Sequence, residues 1–162
     1  MKKYFMLASA IFSIGTAVAN PPKIGDFAKY QMTLQHKDGT SEQMILTFQL
    51  TSYDPATLKG SAETTTVFVT GPTAGQSMIA TTSIDSADQS DAINNCALAN
   101  GVLEFLNVGE KGVQACHWTL GDANESQFWV GNVPFGIVKM VTIDPTSGDT
   151  TTEILIDSHF GN

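Results

Sequence analysis

The sequence predicts a mainly β domain: a curved antiparallel sheet or incomplete β-barrel with one short helix. Three observations predict it. Apolar and polar residues alternate with period two from Asp26 onward, which is the signature of half-buried strands. Turn signals recur about every ten residues, the spacing of a meandering antiparallel sheet. Asn20–Asn162 also holds 18 threonines, most of them in the predicted strands, where a β-branched side chain suits a pleated polar face.

The elements follow in order. Asn20-Pro21-Pro22 is a stiff, non-helical leader. Ala28, Tyr30, Met32 and Leu34 fall on one face of the first strand, opposite Lys29, Gln31, Thr33 and Gln35. Asp38-Gly39 then supplies a strong hairpin signal, because glycine takes positive φ without a Cβ clash. The return strand groups Met44, Leu46, Phe48 and Leu50, so the first two strands make a hairpin with one apolar face. Beyond Asp54-Pro55, the segment 58–70 holds the β-branched and aromatic run Thr64 to Val69, and 77–84 resumes strand character after Gly71 to Gly75.

Ser86 to Asn100 reads as a short helix or a structured loop. Asp85, Asp88 and Asp91 crowd its front, where the helix dipole favours negative charge, and Gly101 is placed to serve as its left-handed cap. Strands follow at 102–108 and 113–120, split by Gly109-Glu110-Lys111-Gly112, and then at 126–130. The segments 137–143 and 150–156 pair through the turn Asp144 to Gly148.

The first 19 residues read as a secretory signal peptide. Lys2 and Lys3 form a charged start, Tyr4 to Ile14 an apolar run, and Ala17-Val18-Ala19 a small-x-small cleavage site. Residues 20–162 are then expected to form a single exported domain, periplasmic or secreted. No later segment is long and apolar enough to cross a bilayer.

The exported part carries six lysines against sixteen carboxylates, a formal charge of −10, and the chain has no arginine. Nucleic-acid binding needs a cationic footprint, which this composition excludes. The two cysteines, Cys96 and Cys116, are expected to form one disulfide in an oxidising compartment. Closing a loop of about 20 residues contributes about 3 kcal/mol in the chain-entropy model.

The sequence shows no catalytic motif: no nucleophile elbow, no phosphate-cradling glycine loop and no zinc-protease histidine pair. His36 abuts a hairpin turn, His159 sits in the frayed C-terminus, and His117 lies inside a strand with nothing nearby in sequence that resembles an orienting acid. Asp85, Asp88 and Asp91 are three residues apart, which lines a solvated face and does not build a calcium loop. Asn124-Glu125-Ser126 matches a glycosylation sequon and marks an exposed loop. Neither a cofactor nor a metal is expected, and the chain is not expected to be an enzyme.

Cys96 to Lys139 is the most distinctive stretch, with Gly-Val-Gln-Ala-Cys-His at 112–117, Phe128-Trp129-Val130, and Val133-Pro134-Phe135-Gly136-Ile137-Val138-Lys139. It resembles a loose group of exported bacterial β-rich proteins, similar in turn to the periplasmic lipoprotein-carrier (LolA/LolB-like) superfamily. The opening Ile24 to Tyr30 also resembles that group's first strand. The resemblance implies an incomplete antiparallel barrel around an apolar cavity capped by helices. The chain departs from those carriers in having no arginine for the cavity.

Two functional readings stand. One is an exported binding or carrier protein for a lipid or another hydrophobic small molecule, with Tyr30, Met32, Leu34, Met44, Leu46, Phe48, Trp129 and Phe135 as the ligand wall. The other is a structural or interaction module of the cell envelope in which the same residues are ordinary core. The signal reading makes a direct prediction: mass spectrometry of the exported protein should find Asn20 at its N-terminus, and an intact Met1 in a membrane-free fraction would refute it.

Overall fold

The computed structural model describes residues 22–85, 93–98, 100–121 and 126–161. Among them run nine strands: β1 (Phe27–Gln35), β2 (Ser41–Asp54), β3 (Lys59–Phe68), β4 (Ser77–Asp85), β5 (Val102–Val108), β6 (Lys111–Leu120), β7 (Ser126–Gly131), β8 (Ile137–Ile143) and β9 (Thr150–His159). They form one antiparallel sheet in the order β4-β3-β2-β1-β9-β8-β7-β6-β5. Two meanders, β1 to β4 and β5 to β9, are joined side by side by the β1–β9 pairing. Strands β4 and β5 are open edges, so the barrel is not closed. Strand β5 nonetheless touches β9, four places away in the sheet, so this half curls back on itself.

The first hairpin matches its expectation. Tyr30 pairs with Leu46 and Met32 with Met44. Gly39 takes a φ of 88°, and its N–H donates to the His36 carbonyl. Asp38 Oδ1 accepts from both the backbone N–H and the hydroxyl of Thr40, which locks the turn.

Four local expectations are corrected. Within the predicted helix, residues 93–98 and Asn100 form overlapping turns, with Cys96, Leu98 and Asn100 N–H groups donating three residues back. Most of the aspartate-rich front (Asp88, Asp91) and the sequon asparagine Asn124 lie outside the described residues. The left-handed residue is Asn100, at φ 55°, and not Gly101. Asparagine tolerates that conformation, and the Gly101 N–H closes the turn on the Cys96 carbonyl. At the C-terminus, His159 ends β9, paired with Phe27 and stacked on its ring at 5.1 Å. Strand β6 begins at Lys111, so only Gly109-Glu110 form its turn.

Cys96 and Cys116 are disulfide-bonded, with Cα atoms 5.5 Å apart, which anchors the 93–100 turns to β6. Gly101 is required there for space. A Cβ on it would lie 2.5 Å from Cys116 Sγ and 2.8 Å from Cys96 Sγ. Cys116→Ser should therefore lower unfolding free energy by about 2–5 kcal/mol. Gly101→Ala should also destabilise the protein, because its Cβ would crowd both sulfur atoms. An unchanged urea midpoint in Gly101→Ala would contradict this.

Candidate functional site

Alternation along the strands builds one buried face, called here the inner face. By register Ala28, Tyr30 and Met32 of β1 share it with Met44, Leu46 and Phe48 of β2, and with Glu153 and Leu155 of β9. Met140 pairs with Glu153 from β8, and Phe128 of β7 pairs with Met140. Tyr30, Met32, Met44, Leu46 and Phe48 are each no more than 5% exposed. Of the ligand wall read from the sequence, these five are brought together. Leu34 is half-buried toward the hairpin turn.

Phe135 reaches the inner face by a different route. The turn Val133 to Gly136 closes with the Gly136 N–H donating to the Val133 carbonyl, and Phe135 takes a φ of 62°. A left-handed non-glycine residue costs about 1–2 kcal/mol. Packing the partly buried ring against the core offsets that cost. That ring lies 5.9 Å from Phe48 and bridges the main core to the smaller cluster of Leu50, Ala62 and Ile84.

Trp129 is placed on the opposite face, because Phe128 and Val130 take the inner positions on β7. Its indole is stacked on His117 at 4.1 Å, lies under Lys139 Nζ at 4.4 Å, and donates Nε1–H to Glu104 Oε2 at 2.8 Å. Glu104 Oε1 is also 3.0 Å from His117 Nδ1. His117 thus does have an orienting acid, brought by the pairing of β5 with β6. The Trp129 and His117 hydrogen bonds hold the Glu104 carboxyl below its ordinary range.

Glu153 is the residue that sequence reading missed. It is fully buried at the centre of the inner face, between Met32 and Met140, and neither carboxyl oxygen has a hydrogen-bond partner. Burial pushes its pKa up to about 8, so the carboxyl is neutral at pH 7. The Tyr30 hydroxyl, also buried, donates to the Ile137 carbonyl, and burial together with Glu153 raises its pKa well above the ordinary value. A neutral carboxyl can donate one hydrogen bond and accept others; once ionised, it can hold a cation.

A polar groove of about 580 Å³ lies at one end of the sheet, lined among others by His36, Lys37, Glu42, Gly71 and Asp149. His36 bridges Glu42 Oε1 at 3.3 Å and Asp149 Oδ2 at 3.2 Å. Hydrogen bonds to Glu42 and then Asp149 raise its pKa. Among the described residues no group of three or more His, Cys, Asp or Glu side chains converges to hold a metal ion.

No protein-family model matches the chain, and no curated protein matches it. Among solved structures, a LolA superfamily protein from Nitrosomonas europaea superposes with a TM-score of 0.34 at 8% identity, over 96% of this chain and 94% of that one. A domain assigned as an outer membrane lipoprotein-sorting protein from Vibrio parahaemolyticus gives 0.28 at 10% identity, over 86% and 87%. A DUF1329 family protein from Desulfovibrio piger gives 0.34 at 10% identity, over 98% and 92%. The first of these belongs to the superfamily that the Cys96–Lys139 segment resembles. Likeness at this level is one of general arrangement and carries nothing about ligand or activity.

The buried carboxyl makes stability depend on pH with a defined sign. Between about pH 4.5 and 8 the unfolded chain has released the proton that folded Glu153 keeps, so stability falls as pH rises, by about 1.4 kcal/mol per unit. His36 works in the same direction: its contribution is present below its unfolded pKa and is lost as pH rises through its raised folded value. Urea unfolding at pH 5.5, 6.5 and 7.5 should show this decline, and Glu153→Gln should remove most of it. A wild-type minus Glu153→Gln difference that stays constant with pH would rule it out.

Proposed function

We propose that this chain is an exported binding or carrier protein, and not a catalyst, which holds a hydrophobic small molecule or lipid against the inner face of its open sheet. The observation that carries the reading is Glu153. A core serving only as packing gains nothing from a carboxyl with no partner, and an apolar residue of similar volume would be more stable there. An unpaired polar group amid apolar side chains is how a ligand site fixes orientation. Met32, Met44 and Met140 make the surrounding wall adaptable, because an unbranched thioether reshapes around irregular ligands. Export is supported by the signal-like first 19 residues and by a disulfide of the kind oxidising compartments permit.

The second reading, a structural module with a filled face, is favoured by the near-complete burial of Tyr30, Met32, Met44, Leu46 and Phe48. The two separate experimentally. Diphenylhexatriene, a neutral apolar fluorophore, should bind the purified protein saturably and with defined stoichiometry. Leu46→Trp should abolish that binding while keeping the melting temperature, since it fills space a ligand would use. A filled core would show no saturable binding in the wild type and would lose about 1–3 kcal/mol on overpacking by Leu46→Trp.

A further inference from the structure

Resting on that reading, we propose that the ligand is a cationic amphiphile: an alkyl or aryl amine whose ammonium group meets Glu153 while its apolar body lies along Tyr30, Met32, Met44, Phe128 and Met140. The placement of charge selects this class. Every lysine within a strand, namely Lys29, Lys59, Lys111 and Lys139, lies by register on the face opposite Glu153. The chain has no arginine, so an anionic head group would find no strand-borne cation on the inner face. Glu42, at the rim of the same face, adds a second carboxyl beside His36. The charged strand residues of this face are thus both acidic, and the net negative charge of the chain draws an ammonium ion in.

The elements packed against Glu153 set its response. Strand β1 presents Met32 and Tyr30, and the Tyr30 hydroxyl is already committed to the Ile137 carbonyl. Strand β8 presents Met140, while its Lys139 faces away over Trp129. On β9 itself the same face carries Thr151 and Leu155. No strand around Glu153 brings a charge that would hold it ionised, so it stays protonated while the site is empty. An arriving ammonium ion stabilises the carboxylate, and the proton leaves to solvent. Amine affinity should therefore rise about tenfold per pH unit as pH approaches about 8, the value at which the empty site ionises.

The experiment is displacement of diphenylhexatriene from the purified protein by three chains of equal length, dodecylamine, dodecanol and dodecanoate, each below its micelle-forming concentration. At pH 8 dodecylamine should displace the fluorophore at a concentration at least tenfold lower than dodecanol, with dodecanoate the weakest. The amine advantage should shrink about tenfold per unit toward pH 6. Glu153→Gln, an isosteric change, should bring amine and alcohol together and abolish the pH dependence while the fluorophore still binds. If the wild type binds the fluorophore but shows no amine preference, prefers dodecanoate, or keeps its amine preference in Glu153→Gln, the amine assignment is wrong and the carrier reading stands. Absence of saturable fluorophore binding would remove the carrier reading and the amine assignment with it.

Discussion

The pairing of β1 with β9 holds the molecule together. Every other strand pair in the sheet links neighbours in sequence through a turn or short connection, whereas this one brings Phe27 beside His159 and Gln35 beside Thr150. Without it there are two separate meanders, each exposing its apolar side. Closing so long a loop is the costly step in assembling such a sheet, since the entropy of closure precedes the contacts that offset it. The seam is accordingly reinforced at both ends. At one end the Gly161 N–H donates to Asp26 Oδ1 at 2.7 Å, and Phe27 stacks on His159. At the other, His36 and the Lys37 N–H both meet the Asp149 carboxylate across the turns.

Glu153 sits in the middle of that seam, and its setting contrasts with that of Glu104. Both are strand glutamates, and environment moves them in opposite directions. Glu104 accepts hydrogen bonds from the Trp129 indole and is oriented by His117, so its charged form is favoured. Glu153 is surrounded by Met32, Met140 and other apolar groups and offered no donor, so its neutral form is favoured. The strand pairing that joins the two halves therefore has a titrating group at its centre. Ionisation of that group without a counter-ion weakens the seam, and a bound cation is the condition under which ionisation costs least.

The two faces of the sheet divide the charge between them. On the opposite face, His117, Trp129, Lys139 and Ile154 follow one another across β6, β7, β8 and β9 as successive cross-strand partners. Aromatic stacking and a cation over the buried indole suit this row, in which His117 and Lys139 are partly exposed. Among the strand residues of the inner face, the charged side chains are the carboxylic acids Glu42 and Glu153. This asymmetry follows from period-two alternation once the register is set.

Local chemistry in the sequence determined the strands. Alternation of Ala28, Tyr30, Met32 and Leu34, the Asp38-Gly39 turn, and the answering Met44, Leu46 and Phe48 specify a hairpin because side-chain period and turn geometry are properties of adjacent residues. The same locality made β5 and β8 readable to their ends. What the local pattern left open was which face each later strand turns inward. Phe128-Trp129-Val130 is apolar throughout, so no alternation tells that Trp129 points away; pairing with His117 and Lys139 decides it. In β9, Ile154, Leu155 and Ile156 are apolar in succession, and it is the pairing of Glu153 with Met32 and Met140 that turns the carboxyl inward and leaves Ile154 exposed. The acid beside His117 was equally invisible, since Glu104 belongs to another strand. A one-residue change of register exchanges every inner side chain for an outer one, and register across the β1–β9 seam is a relation between distant segments that only the folded chain establishes.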